Sequence, residues 1–517
     1  MRLRLAALVA ALLWVGHVGC GARSGLRSSA RDDAGPDAAA ADASLACATP
    51  ADCDSGDRCQ PMSCVEGVCV ASAPVVCDDG DPCTDDRCVP ETGACEFAAA
   101  TFDRDGDGHF GPRPGFAPGE PLACGDDCDD TSPLAFPGGS EVCDGVDNDC
   151  NGVIDDRAEH VVEGAPVRLT SEGLVQGRRG SVAYEGNHYA VAYRGQRDNQ
   201  WTNYFKALRS DGSEVVPETR ITNVNSDTFT GPLVWTGAVF GAAWEDRRDN
   251  DFEIYFNRLD RSGQKLGPDV RVTRARDFST EARMVFNGRE FLLAWTDRRT
   301  TVQIFGQRIA VDGALVGPNL ALTEPAWQAE SAALALGRRR IAIAFALLEG
   351  GIGFRTFDME LGAPGDLVRF PGPLARDLAI TFAQDRFIIA WERQEDGVPG
   401  EAIHAMAVLE DGTVVVAERP VTEAAGFAKT PSLLSLGDRA LMAWSDQRDE
   451  NFEIYAKHLS LELEELTPRQ RLSNDPAQSL YPLMSFGPEG EIGVVFDDRR
   501  TGTWQPYFVR LSCFSVR

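Results

Sequence analysis

Residues 243–259 read "AWEDRRDNDFEIYFNRL", and residues 443–459 read "AWSDQRDENFEIYAKHL". An apolar run ending in a small residue and an aromatic, an Asp-x-Arg turn and an alternating strand recur together, so the two stretches are copies of one unit. Weaker copies fill the interval and its flanks. The small-then-aromatic step falls at Tyr193, Trp244, Trp295, Phe345, Trp391, Trp444 and Phe496, spaced by 51, 51, 50, 46, 53 and 52 residues. A glycine marker keeps step at Gly212, Gly263, Gly313, Gly362 and Gly412. Self-similarity at a fixed period near fifty residues marks a repeat architecture.

Every signal inside the unit is β. A short strand meets a turn such as "WTG", "FNG" or "LGD", and the apolar-aromatic strand follows. A polar turn, an alternating strand and a closing "DRSG" or "VDG" complete the unit. Each unit is expected to open with a strand such as "VRLT", "VRVT" or "QRLS". Four short strands cannot bury both faces alone, so neighbours must stack. The predicted fold class is all-β, with a seven-bladed β-propeller over residues 159–517. Its continuous apolar strands would lie between blades, the small residue leaving room for a large one opposite. A β-solenoid is the competing architecture, but its coils are shorter.

Asp246, Asp297, Asp446 and Asp498 lie two residues after the aromatic, and Arg248, Arg299, Arg448 and Arg500 lie four after. Residues two apart in a strand share a face, so each Asp can pair with its own Arg. The repeats resemble sialidase-like propellers, and that resemblance implies arginines gathered around a carboxylate substrate. A catalytic group, however, occurs once per molecule, and a pair that recurs with the blades reads as a brace. Only "DRRTGTW" at residues 498–504 echoes the sialidase Asp-box. No GxSxG elbow, HExxH or phosphate loop is present, and six scattered histidines offer no triad, so no catalytic residues are assigned.

The N-terminal third has another texture. Arg2 and Arg4 precede "LAALVAALLWVG", too short to span a bilayer and placed as an export signal. "HVGCGARSG" resembles a bacterial lipoprotein processing site in which Cys20 becomes the lipidated N-terminus, although His17 stands where leucine is usual. Residues 1–20 are therefore expected to be a signal peptide and lipidation site, with plain secretion the alternative. Residues 21–46 are small and polar and read as a disordered linker. Nine cysteines lie between Cys47 and Cys95, four between Cys124 and Cys150, and one at Cys513. Setting Cys20 aside leaves an even fourteen, suited to disulfides in an oxidising compartment rather than to zinc. The odd nine suggests that Cys513 reaches back toward the N-terminal region. Residues 47–98 are predicted to be a disulfide-stapled module. Their second half resembles short cysteine repeats of extracellular proteins, which implies a spacer or adhesive role.

Much of the net charge of −29 belongs to residues 47–158, with 25 acidic residues against 5 arginines. That balance excludes nucleic acid as a partner and favours cations. "DRDGDG" places Asp103, Asp105 and Asp107 at alternate positions before a glycine bend, the opening of a calcium loop. "CDGVDNDCNGVIDD" at residues 143–156 repeats the plan with Asp147, Asp149 and Asn151, the Val153 carbonyl and Asp155. Both loops lack the acid expected at position twelve, where Pro114 and Ala158 stand. Completion would fall to Asp156, Glu159 or the carboxylates Asp126, Asp127, Asp129 and Asp130. Within the module of residues 99–158, Asp103 to Asp156 resembles the MopE-type acidic metal-binding repeat, its hallmark standing at Cys143 to Asp155, and that resemblance implies copper. The residues themselves offer oxygen and only His109 as nitrogen, which suits calcium. A metal-free acidic spacer is the bland alternative.

These readings describe an exported lipoprotein at the outer membrane or cell surface, held by its lipid anchor. Its calcium-stabilised acidic module presents a propeller for binding or adhesion to an extracellular protein or glycan. A glycan-active, sialidase-like enzyme and a copper-binding surface protein are the alternatives.

Overall fold

The structure, a computed structural model, describes residues 46–515 except 81–82, 100–102, 113–123, 142, 144–145, 152–157, 172–175, 198, 223–225, 395–399 and 424–426. Cys20, the export signal and most of the linker therefore lie outside the described residues. Among those described, no helix is long and apolar enough to cross a membrane. The chain divides into two compact units, one ending at Ala98 and the other beginning at Ala99.

In the first unit, strand Met62–Val65 pairs with Val68–Ala71 and Thr84–Cys88 pairs with Cys95–Ala99. Cys53 is its one buried residue among those described, so hydrocarbon burial cannot hold it. Disulfides do: Cys47–Cys64, Cys53–Cys69, Cys59–Cys88 and Cys77–Cys95. All cysteines from Cys47 onward are oxidised, which suits an extracellular or exported protein.

The second unit contains seven four-stranded antiparallel sheets. Six are continuous in sequence, spanning residues 176–220, 228–271, 279–321, 329–370, 375–420 and 429–471. The seventh takes three strands from residues 479–515 and its fourth from Ala158–Arg168. All seven marker aromatics sit on the second strand of their blade and are buried. Seven apolar clusters fill the seams, each drawn from two adjacent blades. One of them joins Val495 and Phe508 of the last blade to Tyr189 and Tyr193 of the first, so the ring closes. Small residues set the spacing: a Cβ on Gly263, at φ +75°, would meet Phe205 of the preceding blade at 2.3 Å.

The phase of the repeat differs from the sequence expectation. "VRLT" and its relatives do not open a unit. Val270–Arg271 and Gln470–Arg471 are outermost strands that close blades two and six, and Arg168 closes the seventh. Sequence similarity fixes the period of a repeat, whereas hydrogen bonding decides which strand ends a sheet.

The Asp-x-Arg pair forms as expected in all four blades, and each aspartate is fully buried. Where the aromatic is Trp, its indole N–H donates to the same carboxylate, at 3.1 Å for Trp244, 2.9 Å for Trp295 and 2.9 Å for Trp444. Each arginine also lies over the aromatic of the next strand, for example Arg248 over Tyr255 at 4.1 Å. Burial works to raise the pKa of Asp297. The Arg299 guanidinium and the Trp295 N–H outweigh it and hold the carboxyl below its usual range.

The closing seam carries its own fastenings. The ladder runs from Tyr507↔Arg168 to Ser515↔Ala158, Cys513 is bonded to Cys143, and Arg510 pairs with Glu163 at 2.8 Å. Cys513 thus reaches back 370 residues, to the acidic module rather than to the cysteine-rich one. Beside it, His160 and His458 meet at 3.1 Å, and His160 Nε2 donates to the Gly490 carbonyl at 2.8 Å. One of the two facing nitrogens must accept, so the imidazoles cannot both be protonated, and burial lowers the pKa of each. Burial, the neighbouring His160 and Arg439 push His458 down to about 3.

Two predictions follow from the blades and their closure. Asp297→Asn and Asp446→Asn should each destabilise the propeller by about 3 kcal/mol in urea denaturation, since each strips a buried partner from a partly exposed arginine. A folded-state pKa below the unfolded value gives stability that is complete above pH 6.5 and lost as pH falls toward 3. His458 should accordingly account for roughly 2 kcal/mol lost between pH 7 and pH 5. The wild-type minus His458→Gln difference in unfolding free energy measures it, and a flat difference would contradict the assignment.

Candidate metal centre

The acidic loops fold as their sequence suggests, because alternate carboxylates can each accept a backbone N–H while glycine turns the chain. Asp103 accepts Gly106 N–H at 2.6 Å through Oδ1 and Gly108 N–H at 3.1 Å through Oδ2. Asp105 Oδ1 accepts Asp107 N–H at 3.3 Å, and Asp107 Oδ1 accepts His109 N–H at 2.8 Å. These bonds leave the second oxygens of Asp105 and Asp107 buried without a partner. Asp127 adds a third: its Oδ1 accepts Asp129 N–H at 2.8 Å, and its Oδ2 is buried and unpartnered. The two stretches are tied by Asp127 N–H to the Phe110 carbonyl at 3.2 Å. They approach so closely that a Cβ on Gly125 would lie 2.2 Å from that carbonyl. Burial, then the charges of Asp105, Asp107 and Asp130, raise the Asp127 carboxyl above its usual range.

A second set lies in the quoted acidic stretch. Oxygens of Glu141, Asp147 and Asp149 fall within 4.8 Å of one another. Asn151 N–H donates to Asp147 Oδ1 and Asp149 Oδ1, both at 3.1 Å, and Asp149 N–H donates to Glu141 Oε1 at 2.8 Å. Glu141 Oε2 is buried with no partner, and burial followed by Asp149 and Asp147 raises the Glu141 pKa. Cys150 is bonded to Cys128 and Cys143 to Cys513, fixing both flanks.

The expected residues Asp103, Asp105 and Asp107 are therefore brought together, as are Asp147 and Asp149. Asn151 directs its N–H at the second set, while the residue itself is exposed. Val153 and Asp155 lie outside the described residues. Asp127, one of the six acids expected to complete a loop, packs against the first. Glu141 is not among the acids expected to complete a loop; it lies six residues before Asp147, outside the quoted motif.

The donor chemistry is oxygen. His109 Nδ1 faces Asp126 at 3.3 Å and its ring stacks on Phe136, so it is engaged away from the orphaned oxygens. Cys128 and Cys150 lie beside Asp127, but their sulfurs are spent in a disulfide. Carboxylates at this density, with a buried unpaired oxygen on four of them, fit a divalent cation.

One comparison with known proteins bears on a metal site. Residues 127–156 match the family model of the MopE copper-binding motif, described as a "putative metal-binding motif". No curated protein matches the chain. Solved structures align with this chain at low identity. A protein of unknown function from Dyadobacter fermentans is 12% identical with a TM-score of 0.43, over 69% of this chain and 99% of that one. A neuraminidase-like protein from a little yellow-shouldered bat influenza A virus, subtype N10, is 11% identical with a TM-score of 0.40, over 69% and 100%. Trypanosoma rangeli sialidase is 9% identical with a TM-score of 0.37, over 68% and 59%. At such values the likeness does not extend to function.

The raised carboxyls give a signed prediction. A folded pKa above the unfolded value means that ionised Asp127 works against the cation-free fold at neutral pH. Asp127→Asn should raise the melting temperature of the chelator-treated protein and shrink the gain that added divalent cation produces in the wild type. A variant that melts lower in chelator would contradict this reading.

Proposed function

We propose that this protein is an exported surface lipoprotein, anchored through Cys20, whose acidic module binds calcium and holds a propeller that serves as a binding or adhesion surface. The observation that carries the calcium reading is the set of buried, partnerless oxygens on Asp105, Asp107, Asp127 and Glu141. Each belongs to a carboxylate whose other oxygen is already fixed by a backbone N–H, so the free oxygens are oriented before any ion arrives. Calcium would neutralise them without a geometric demand as strict as that of magnesium, and extracellular sites of this kind bind it at roughly 10⁻⁴ to 10⁻³ M. The oxidised cysteines support an extracellular setting, where calcium is abundant. The match to a copper-binding motif favours a second reading, a copper-holding surface protein. Against it stands a donor set without free thiol or converging imidazole.

Full-length protein separates the two. Calcium should raise the melting temperature and suppress proteolytic cleavage within residues 99–158, and chelation should reverse both effects. Indifference to calcium, together with copper binding that survives excess calcium, would replace the calcium reading with the copper one.

A further inference from the structure

Blade one departs from blades two and six at two linked positions. In blade two, Asp246 faces Glu253 across the second and third strands, and Tyr255 faces Arg271 on the outermost strand. Blade six repeats the register with Asp446, Glu453, Tyr455 and Arg471. The acids hold the arginines: Asp246 binds Arg248, and Arg271 Nη2 donates to Glu253 at 2.8 Å. Asp446 and Glu453 hold Arg448 and Arg471 in the same way.

In blade one the same register pairs Gly195 with Thr202 and Tyr204 with Arg220. Both arginines survive, as Arg197 and Arg220, while both acids are gone. Arg197 has found Glu218, at 2.8 Å, and the Ser171 hydroxyl, at 3.0 Å. Arg220 spends Nε on the Thr222 carbonyl at 2.6 Å, as Arg271 does on that of Thr273 at 2.9 Å. Beyond that bond Arg220 has no carboxylate partner among the described residues. The counterpart of Asp249, which binds Arg271 in blade two, is Asp198, outside the described residues.

Beside Thr202, which stands where blade two has Glu253, there is a cavity of about 170 Å³, lined by Arg197, Gln200, Thr202, Tyr204, Glu218 and Arg220. A water molecule takes about 30 Å³ of liquid, so the space admits a small polyatomic ligand. Thr202 is 2% exposed, lines the cavity and leaves its hydroxyl without a partner. A guanidinium without a carboxylate partner, an unsatisfied buried hydroxyl and a cavity beside the position of a deleted acid all call for the same complement, a carboxylate group.

We propose that the blade-one cavity is a binding site for a small carboxylate, whose oxygens take the places that Asp246 and Glu253 occupy in blade two. Arg220 and Thr202 are its principal contacts, and Glu218 keeps Arg197 oriented beside it. The site shares no residue with the acidic module and stands apart from the calcium reading.

Acetate and succinate, with sulfate as the tetrahedral control, test the proposal on full-length protein by calorimetric titration at constant ionic strength. At least one of the two carboxylates should bind saturably and more tightly than sulfate. Arg220→Gln, at an exposed position, should weaken binding about tenfold, the value of a charge-assisted hydrogen bond. Thr202→Glu rebuilds the sister-blade acid and should abolish binding while raising the melting temperature of the ligand-free protein. Absence of saturable carboxylate binding, preference for sulfate, or equal binding by wild type and Arg220→Gln would each overturn the proposal.

Discussion

Ring closure is the constraint on which the propeller depends. Each blade has its second strand buried between neighbours, and the apolar clusters belong to seams rather than to blades. No blade has a core of its own, so an open ring would expose two apolar faces at once. The chain meets this demand by lending the last blade a strand from the start of the propeller, which turns the final seam into a contact between distant parts of the sequence. Its fastenings are all long-range: an antiparallel ladder, a disulfide spanning 370 residues and a neutral histidine pair. Cross-links over such loops restrict the unfolded chain most strongly in the entropic account. The acidic module is caught in this closure. Cys143, bonded to the last strand, lies four residues before Asp147, and a Cβ on Gly490 would meet the Cys143 carbonyl at 2.3 Å. Ordering the carboxylate loop and closing the ring therefore act on the same few residues.

Buried carboxylates do two opposite jobs in this unit, and their surroundings tell them apart. Asp297 lies as deep as Asp127, both fully buried. Around Asp297 a guanidinium and an indole N–H satisfy both oxygens and overcome desolvation. Around Asp127, among the described residues, stand other acids, the Cys128–Cys150 disulfide and one backbone donor, so desolvation and repulsion add. The first arrangement is complete as it stands and recurs from blade to blade. The second is electrostatically incomplete and occurs where the glycine-turned loops converge.

What could be read from the sequence follows the range of the interaction involved. The sevenfold period and the Asp-x-Arg brace were legible because they depend on residues two to fifty apart, within one unit or between copies of it. Asp103, Asp105 and Asp107 were legible because alternation and a glycine bend suffice to gather them. The phase of the blades was not, because Val270 and Arg271 look equally like the start of one unit and the end of another. Glu141 was hidden for a different reason: its approach to Asp149 is set by the turn at residues 136–139, where Phe136 N–H donates to Asn148 and Gly138 N–H to Asp149. The His160–His458 contact spans 298 residues and leaves no local trace at all.

The blades that lost the brace show how a repeat absorbs the removal of a buried charge. Blade four places Leu347, 2% exposed, at the aspartate position and carries Phe rather than Trp before it, exchanging an ion pair for hydrocarbon. Blade five puts Arg393 there and pairs it with Glu418, which also meets His404 at 3.1 Å, while Pro420 replaces the outer-strand arginine. Blade seven keeps Asp498 and sets Gln505 in the second acid position, where its carbonyl oxygen accepts from Thr170 at 2.7 Å. In each case either the charge or the volume was restored within the blade. Blade one restores the charge of Arg197 through Glu218, as blade five does for Arg393, but glycine and threonine replace its two carboxylates and Arg220 keeps no carboxylate partner among the described residues. Drift that removes an acid from a buried pair normally leaves a penalty that a second substitution relieves. A blade that retains its cations, its cavity and an unsatisfied hydroxyl together is better explained by a partner from solution than by repair left unfinished.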